Sequence, residues 1–398
     1  MKRILGIAAA SMLWLTAGAA NADTIKVGLI ADYTGAFATW GPQFQQAIEA
    51  FQDLNGKTVK GPDGKMHDIQ MVYRDSASAG PDKAKQLAEE LILREKVKFL
   101  TGFDLSPHAM AVGEIATQAK VPVIIMNAAT ASIVRGSPYY VRVSMTISQQ
   151  VYPMGKWAVD NGIKKAYVIV SDYAPGHDAE TYFTKAFKAA GGEVIGSVRS
   201  PLNNLDFGPY MEKALQAKPD ALYMFMPAGA PSVALVKAYV ERGLKTAGIK
   251  LLGSGETQEL FLPNFTDDII GTVTSFHYTE SNTNPENTAL KAAIKKKFGE
   301  KAVPDIASVA AWDGMNLLYQ SIEALGAKAE GLKYVDFMKG KTIRSARGPI
   351  MIDPEERDVI QNIYVRRVEK RDGKLINVDI ATIPMFKDPW KADNPIKK

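Results

Sequence analysis

Cysteine is absent from all 398 residues, which removes a disulfide framework, a thiol nucleophile and a thiolate metal site from consideration. Histidine is scarce: His67, His108, His177 and His277 are too scattered for any metal-ligand spacing. There is no Gly-x-Ser-x-Gly elbow and no Walker loop, and Gly253-Ser254-Gly255 lacks the third glycine and the early position of a dinucleotide fingerprint. An enzyme is therefore not expected, nor a cofactor or a metal. Past the N-terminus no apolar run approaches the roughly 20 residues a membrane-crossing helix needs, so a soluble mature chain is expected. One-signed charge is missing too, which argues against nucleic acid as a partner. The cluster Lys291, Lys295, Lys296 and Lys297 reads as the solvated face of a helix.

What the first residues do contain is an export signal. Lys2 and Arg3 precede an apolar run over 4–19, and Ala20-Asn21-Ala22 supplies the small-x-small pattern of a signal peptidase site. Residues 1–22 are expected to be cleaved, leaving a periplasmic chain that starts near Asp23. Without Lys2 and Arg3 the 48 basic residues exceed the 43 acidic ones by only 3. An exported protein without disulfides is held by its core, and the remaining length is ample for two domains.

From Thr24 onward, strand-like runs alternate with segments of helical period, the pattern of an α/β protein whose parallel sheets are covered on both faces. A strand over 25–31 leads to a helix over 42–54. A helix over 81–95 carries Ala84, Leu87, Ala88, Leu91 and Ile92 as one apolar stripe, and a third strand follows over 97–100. After Arg142 the scheme restarts, with a helix over 149–161, a strand over 166–170, a helix closed by Gly191-Gly192, and strands over 194–198, 221–226 and 251–252. Helices over 285–298, 307–325 and 334–339 come next. The tail reads as a hairpin, because strand-like runs over 362–365 and 375–378 flank Arg371-Asp372-Gly373-Lys374.

The chain is organised around residues 101–130, which read as strand end, loop, helix, strand and loop. Ser106-Pro107 predicts a helix start with the serine hydroxyl as its cap, and such an end offers free N–H groups and a positive dipole to a carboxylate. A buried strand over 121–126 opens into Asn127-Ala128-Ala129-Thr130, small residues that leave their backbone approachable. In open parallel sheets ligands bind outside the carboxyl ends of the strands. Tyr33, Trp40, Asp104, Ser106, His108, Ala128, Ala129 and Thr130 fall there in the first half, and Tyr173, Gly229 and Glu256 in the second. Each also has a plainer reading as a packing, turn or capping residue.

In Ile25-Lys26-Val27-Gly28 with Thr34-Gly35 and Trp40-Gly41, Gly102 with Ser106, Asn127 to Thr130, Ser171-Asp172-Tyr173 with Gly176, Asp206-Phe207 and Arg347-Gly348-Pro349, the chain resembles the branched-chain amino acid (leucine/isoleucine/valine) receptor family of periplasmic solute-binding proteins. The resemblance implies a type I periplasmic binding fold: two Rossmann-like lobes joined by three crossings, 23–143 with 278–348 and 144–277 with 349–385, followed by a tail over 386–398. It implies a monomer that delivers a small carboxylate to the permease and ATPase of an ABC importer, gripping the carboxylate at Ser106, Ala128 and Thr130. Where the amino-acid receptors have a tyrosine before the glycine matching Gly176, this chain has Pro175, and 227–230 holds only small residues and proline. An aromatic or other apolar carboxylate is the favoured ligand on that ground. A branched-chain or other amino acid is the alternative, with Glu256, Asp104 or Asp32 receiving its ammonium. A sensory ligand-binding protein and a secreted enzyme at the same sheet edge are the remaining alternatives.

Overall fold

The computed structural model describes residues 23–396, so the export signal expected over 1–22 lies outside it. The first sheet begins with β1 (Asp23–Ala31), followed by α1 (Trp40–Asn55), β2 (Thr58–Lys60), β3 (Met66–Asp75), α2 (Pro81–Leu93), β4 (Phe99–Gly102), α3 (Ser106–Ala119), β5 (Val123–Ile125) and β6 (Tyr140–Arg142). Its order is β2-β3-β1-β4-β5-β6, parallel except where β2 folds back on β3. The second sheet opens with α4 (Ile147–Asp160) and β7 (Lys165–Ser171), then α5 (Ala174–Ala189), β8 (Glu193–Ser200), α6 (Gly208–Ala217), β9 (Ala221–Phe225), α7 (Ala230–Glu241), β10 (Lys250–Gly253) and β11 (Val273–Phe276).

The chain then returns to the first lobe for α8 (Pro285–Phe298) and α9 (Ile306–Leu325), which pack on α1, and for α10 (Gly331–Met338). Asp305 and Ser308 cap α9 reciprocally, and Asn284 caps α8. β12 (Thr342–Ser345), β13 (Gly348–Ile352), β14 (Val359–Arg371) and β15 (Lys374–Phe386) add antiparallel strands to the second sheet, and α11 (Pro389–Asp393) ends the described chain. The second sheet runs β12-β13-β14-β11-β10-β9-β7-β8, with β15 on β14.

Several sequence expectations need correction. The strand expected over 97–100 starts two residues later, because the amide of Val97 still donates to Leu91 at the end of α2. The strand pair β2 and β3 carries His67, Asp68, Gln70 and Arg74, too polar to read as a buried strand. Helices α6 and α7 also went unread. The last crossing comes before residue 348, since Thr342–Ser345 already pairs with β13. Nor is 386–398 a mere tail. The ring of Trp390 lies 4.8 Å from the guanidinium of Arg135 in the first lobe, while Asp393 pairs with Lys185 on α5 in the second.

α4 and α5 pack face to face, and Gly176 makes the approach of α5 to its own strand possible. A Cβ at Gly176 would lie 1.8 Å from the carbonyl oxygen of Ser171, an atom held in β7. Gly176→Ala is expected to force the first turn of α5 away from the sheet and to cost about 1–3 kcal/mol as an overpacking change, read as a lowered melting temperature.

Candidate functional site

Both halves of the organising stretch end at the same sheet edge, as β4 and β5 pair in parallel from Leu100–Val123 to Gly102–Ile125. Ser106 does not cap α3; Leu105 holds the cap position, and the amide of Leu105 goes to its neighbour, the Asp104 carboxylate, at 3.0 Å. The hydroxyl of Ser106 reaches sideways instead, accepting the amides of Ala129 (3.0 Å) and Thr130 (3.1 Å). With both lone pairs taken, what Ser106 has left is its proton, so it faces a ligand as a donor.

Those amides are aimed by what holds the other side of the loop. Arg142, fully buried, donates through Nη1 to the carbonyls of Ala128 (2.8 Å) and Thr130 (2.9 Å), and pairs with Asp358 through Nε (2.5 Å) and Nη2 (2.9 Å). With the Ala128 carbonyl turned toward a cation, the N–H of the same peptide, that of Ala129, turns toward Ser106, while the peptide of the Thr130 carbonyl sends the N–H of Ala131 to Asp178. Asp358 is held below the usual carboxylate range: burial opposes this, but Arg142 and Lys391 outweigh it.

A cavity lies between the lobes. The first lobe contributes Trp40, Asp104, Ser106, Asn127 and Ala129, and the second Tyr173, Pro175, Phe225, Gln258 and Phe276, with Gln150 at the start of α4. Tyr173 stacks on Phe225 at 6.3 Å and 18°, which makes an aromatic wall. The indole Nε1 of Trp40 and the amide oxygens of Asn127, Gln150 and Gln258 are buried without a partner. Buried polar atoms left in that state are costly unless something occupies the space beside them.

A model described as periplasmic binding protein matches residues 24–374. The chain belongs to that family. Leu/Ile/Val-binding protein homolog 6 of Brucella melitensis biotype 1 is 42% identical over 391 residues, covering 98% of this chain and 99% of the relative. A solute-binding protein of an ABC transporter from Rhodopseudomonas palustris HaA2, solved in complex with p-hydroxybenzoic acid, is 42% identical, with a TM-score of 0.90 over 94% of this chain and 100% of that one. Another, from Rhodopseudomonas palustris BisB5 in complex with 3,4-dihydroxybenzoic acid, is 42% identical, with a TM-score of 0.88 over 93% and 99%. The fold is the two-lobed type I periplasmic binding fold. No helix among the described residues is long and apolar enough to cross a membrane.

Of the residues singled out in the sequence, Trp40, Asp104, Ser106, Ala129 and Tyr173 line the cavity of this periplasmic binding protein. Ala128 does not: its amide donates to the Phe103 carbonyl at 2.7 Å and its own carbonyl accepts from Arg142. The others stand back from it. Thr130 acts through its backbone, and its hydroxyl is buried without a partner. Tyr33 packs edge-on against Tyr73 at 6.4 Å. Gly229 has φ +116° and caps α7 where the lobes meet, and a Cβ there would lie 3.1 Å from the carbonyl of Ala36. His108 is buried behind Asp104, with Nε2 2.8 Å from the Ala79 carbonyl and Nδ1 3.6 Å from Asp104. Gln150, Phe225, Gln258 and Phe276 went unread as site residues: Gln150 lies within α4, Phe225 and Phe276 end strands where a ring reads as packing, and an amide in a loop, as at Gln258, carries no periodic signal.

The acids expected to meet an ammonium are occupied. Glu256 accepts the amide of Met226 on Oε1 (2.9 Å) and of Ser254 on Oε2 (2.7 Å), tying the end of β9 to that of β10. Asp104 accepts the amides of Asp32 (2.7 Å) and Leu105. Asp32 accepts the hydroxyl of Ser76 and the amide of Ser78 on Oδ1. Asp32, Asp104 and His108 form a cluster of metal-capable groups among the described residues. Only Asp32 Oδ2 and His108 Nδ1 in it lack a partner, fewer than the four ligands of a structural zinc site. Burial lowers the basicity of His108, but Asp104 and the Ala79 carbonyl outweigh it and raise it above its ordinary value.

Burial pushes Glu256 up to about 7, against the pull of the two amides. The folded state therefore binds a proton that the unfolded chain releases, and stability from this group falls as pH rises from about 4.5 to about 7. Glu256→Gln should abolish that component of the pH dependence. It should also lower the melting temperature, because its NH₂ would face a backbone N–H and leave a buried donor unsatisfied, at about 1–3 kcal/mol. Melting curves across pH for both proteins check this.

Proposed function

We propose that this periplasmic binding protein is the exported solute receptor of an ABC importer and that it closes on an aromatic carboxylate of the hydroxybenzoate kind. The observation that carries the ligand class is how little anionic character faces the cavity among the described residues: Asp104 is its one lining carboxylate, each oxygen already accepting a main-chain amide, and Glu256 stands outside the lining. A carboxylate, by contrast, has the proton of Ser106 and the unpartnered indole N–H of Trp40 to meet, and a ring has Tyr173 and Phe225 as a wall. The benzoate-type ligands of the Rhodopseudomonas palustris proteins support the same class. Lys2, Arg3 and the Ala20-Asn21-Ala22 site support export and cleavage near Ala22. The receptor works as a monomer, binding and releasing its ligand without reacting it.

A thermal-shift screen tests the class. At about 100 times its dissociation constant a ligand adds roughly 2.7 kcal/mol of stability, so 4-hydroxybenzoate should raise the melting temperature clearly and leucine should not. A rise with leucine alone would reverse the reading in favour of an amino acid, the class named in the Brucella relative. Ser106→Ala removes a hydrogen bond to a charged group and should weaken 4-hydroxybenzoate by about 1.5–3 kcal/mol in calorimetry. Unchanged affinity would mean that the carboxylate sits elsewhere.

A further inference from the structure

Gln150 is fully buried, lines the cavity, and has its own backbone pinned, as its carbonyl accepts the Ser275 hydroxyl at 2.7 Å. Its side chain lies 2.6 Å through Nε2 from Nδ1 of His277, while Oε1 has no partner. A primary amide has one donating and one accepting end, so whatever holds one end decides which character the other presents. His277 is outside the cavity lining and fully buried. Burial, with Arg347 and Arg366 nearby, holds its basicity well below the ordinary value, so the ring is neutral. The Nε2 of the ring has no partner of its own, so the tautomer is set against Gln150: with the proton on Nε2 the ring accepts at Nδ1 and the amide that donates there turns its oxygen away from His277, whereas a proton on Nδ1 would turn the amide over. An imidazolium would donate at Nδ1 and turn the amide over.

We propose that His277 is a positioning residue for ligand selection: by accepting the Gln150 N–H it presents Gln150 Oε1 to the cavity, which favours an aromatic acid with a donating ring hydroxyl over the same acid without one. The inference rests on the aromatic-acid reading of the cavity and names the residues that select the ring hydroxyl. Gln258 Oε1, a second unpartnered acceptor in the same wall, strengthens the preference for a donor. A ligand hydroxyl would satisfy a buried acceptor that a bare ring leaves orphaned, an asymmetry that makes discrimination against the bare ring large.

The test measures 4-hydroxybenzoate and benzoate affinities by calorimetry on the mature full-length chain. Wild type should favour 4-hydroxybenzoate by about tenfold or more. His277→Asn, which keeps an acceptor facing Gln150, should retain that ratio. His277→Leu should bring it to within about twofold, because 4-hydroxybenzoate loses affinity once the amide is free to turn. If His277→Leu does not fold, Gln150→Leu with His277 intact should collapse the ratio in the same way. A ratio that survives in whichever of these two leucine variants folds overturns the proposal. Equal affinity of wild type for the two acids overturns it while leaving the aromatic-acid reading in place, whereas binding of neither acid overturns both.

Discussion

The ligand loop depends on one buried ion pair. Arg142 ends β6, Asp358 precedes β14, and their contact ties the last strand of the first sheet to the turn between β13 and β14 of the second. A guanidinium has five donors in a fixed fork, and Arg142 spends them on Asp358 and on two carbonyls of the 127–130 loop. The loop could not present its amides to Ser106 if its carbonyls were free to rotate. Lys391, from the C-terminal helix, approaches Asp358 at 2.9 Å and donates to the carbonyl of Ala131, so the last helix reinforces the same junction. Arg347 repeats the device at the crossing, donating to the carbonyls of Ser144 (2.6 Å) and Val143 and pairing with Asp313 at 3.0 Å. Such pairs add little net stability over apolar residues of the same shape, but losing one partner is severe, which makes them suited to holding one geometry.

The same economy explains the cavity. Its neighbouring carboxylates are consumed in organising backbone: Asp104 and Glu256 each gather amides at strand ends, where the sheet has stopped providing partners. What remains for a ligand is a hydroxyl proton, an indole N–H and amide oxygens, set among aromatic walls. A cavity of neutral dipoles binds an anion without an opposing charge in the way a helix end binds phosphate. The lobes meet directly as well, the amide of Ala131 donating to Asp178 on α5 at 3.0 Å.

Much of the site was legible because strand ends are legible. Asp104, Ser106 and Ala128 to Thr130 follow short apolar runs and flank a proline-marked helix start, so their shared edge could be inferred from the parallel pattern alone. The role of Ser106 was read wrongly in detail. A serine before proline predicts a helix cap by local chemistry, yet here its nearest donors come from another loop 23 and 24 residues along. Glu256 was misread for the same kind of reason: its position beside a strand end is a matter of sequence, but which of several donors reaches it is not.

The sequence by itself determined the alternation of strands and helices, the two-lobed plan and the sheet edge at which the cavity lies, because periodicity and turn chemistry act over a few residues. Only the tertiary structure decided which polar groups are spent and which are free. That depends on partners far apart in the chain, as with Gln150 and His277, separated by 127 residues, or Arg142 and Asp358, by 216. A hydrogen-bond donor has no preference among distant acceptors until the fold brings one within reach, and the ligand chemistry of this cavity is set by what those pairings leave over.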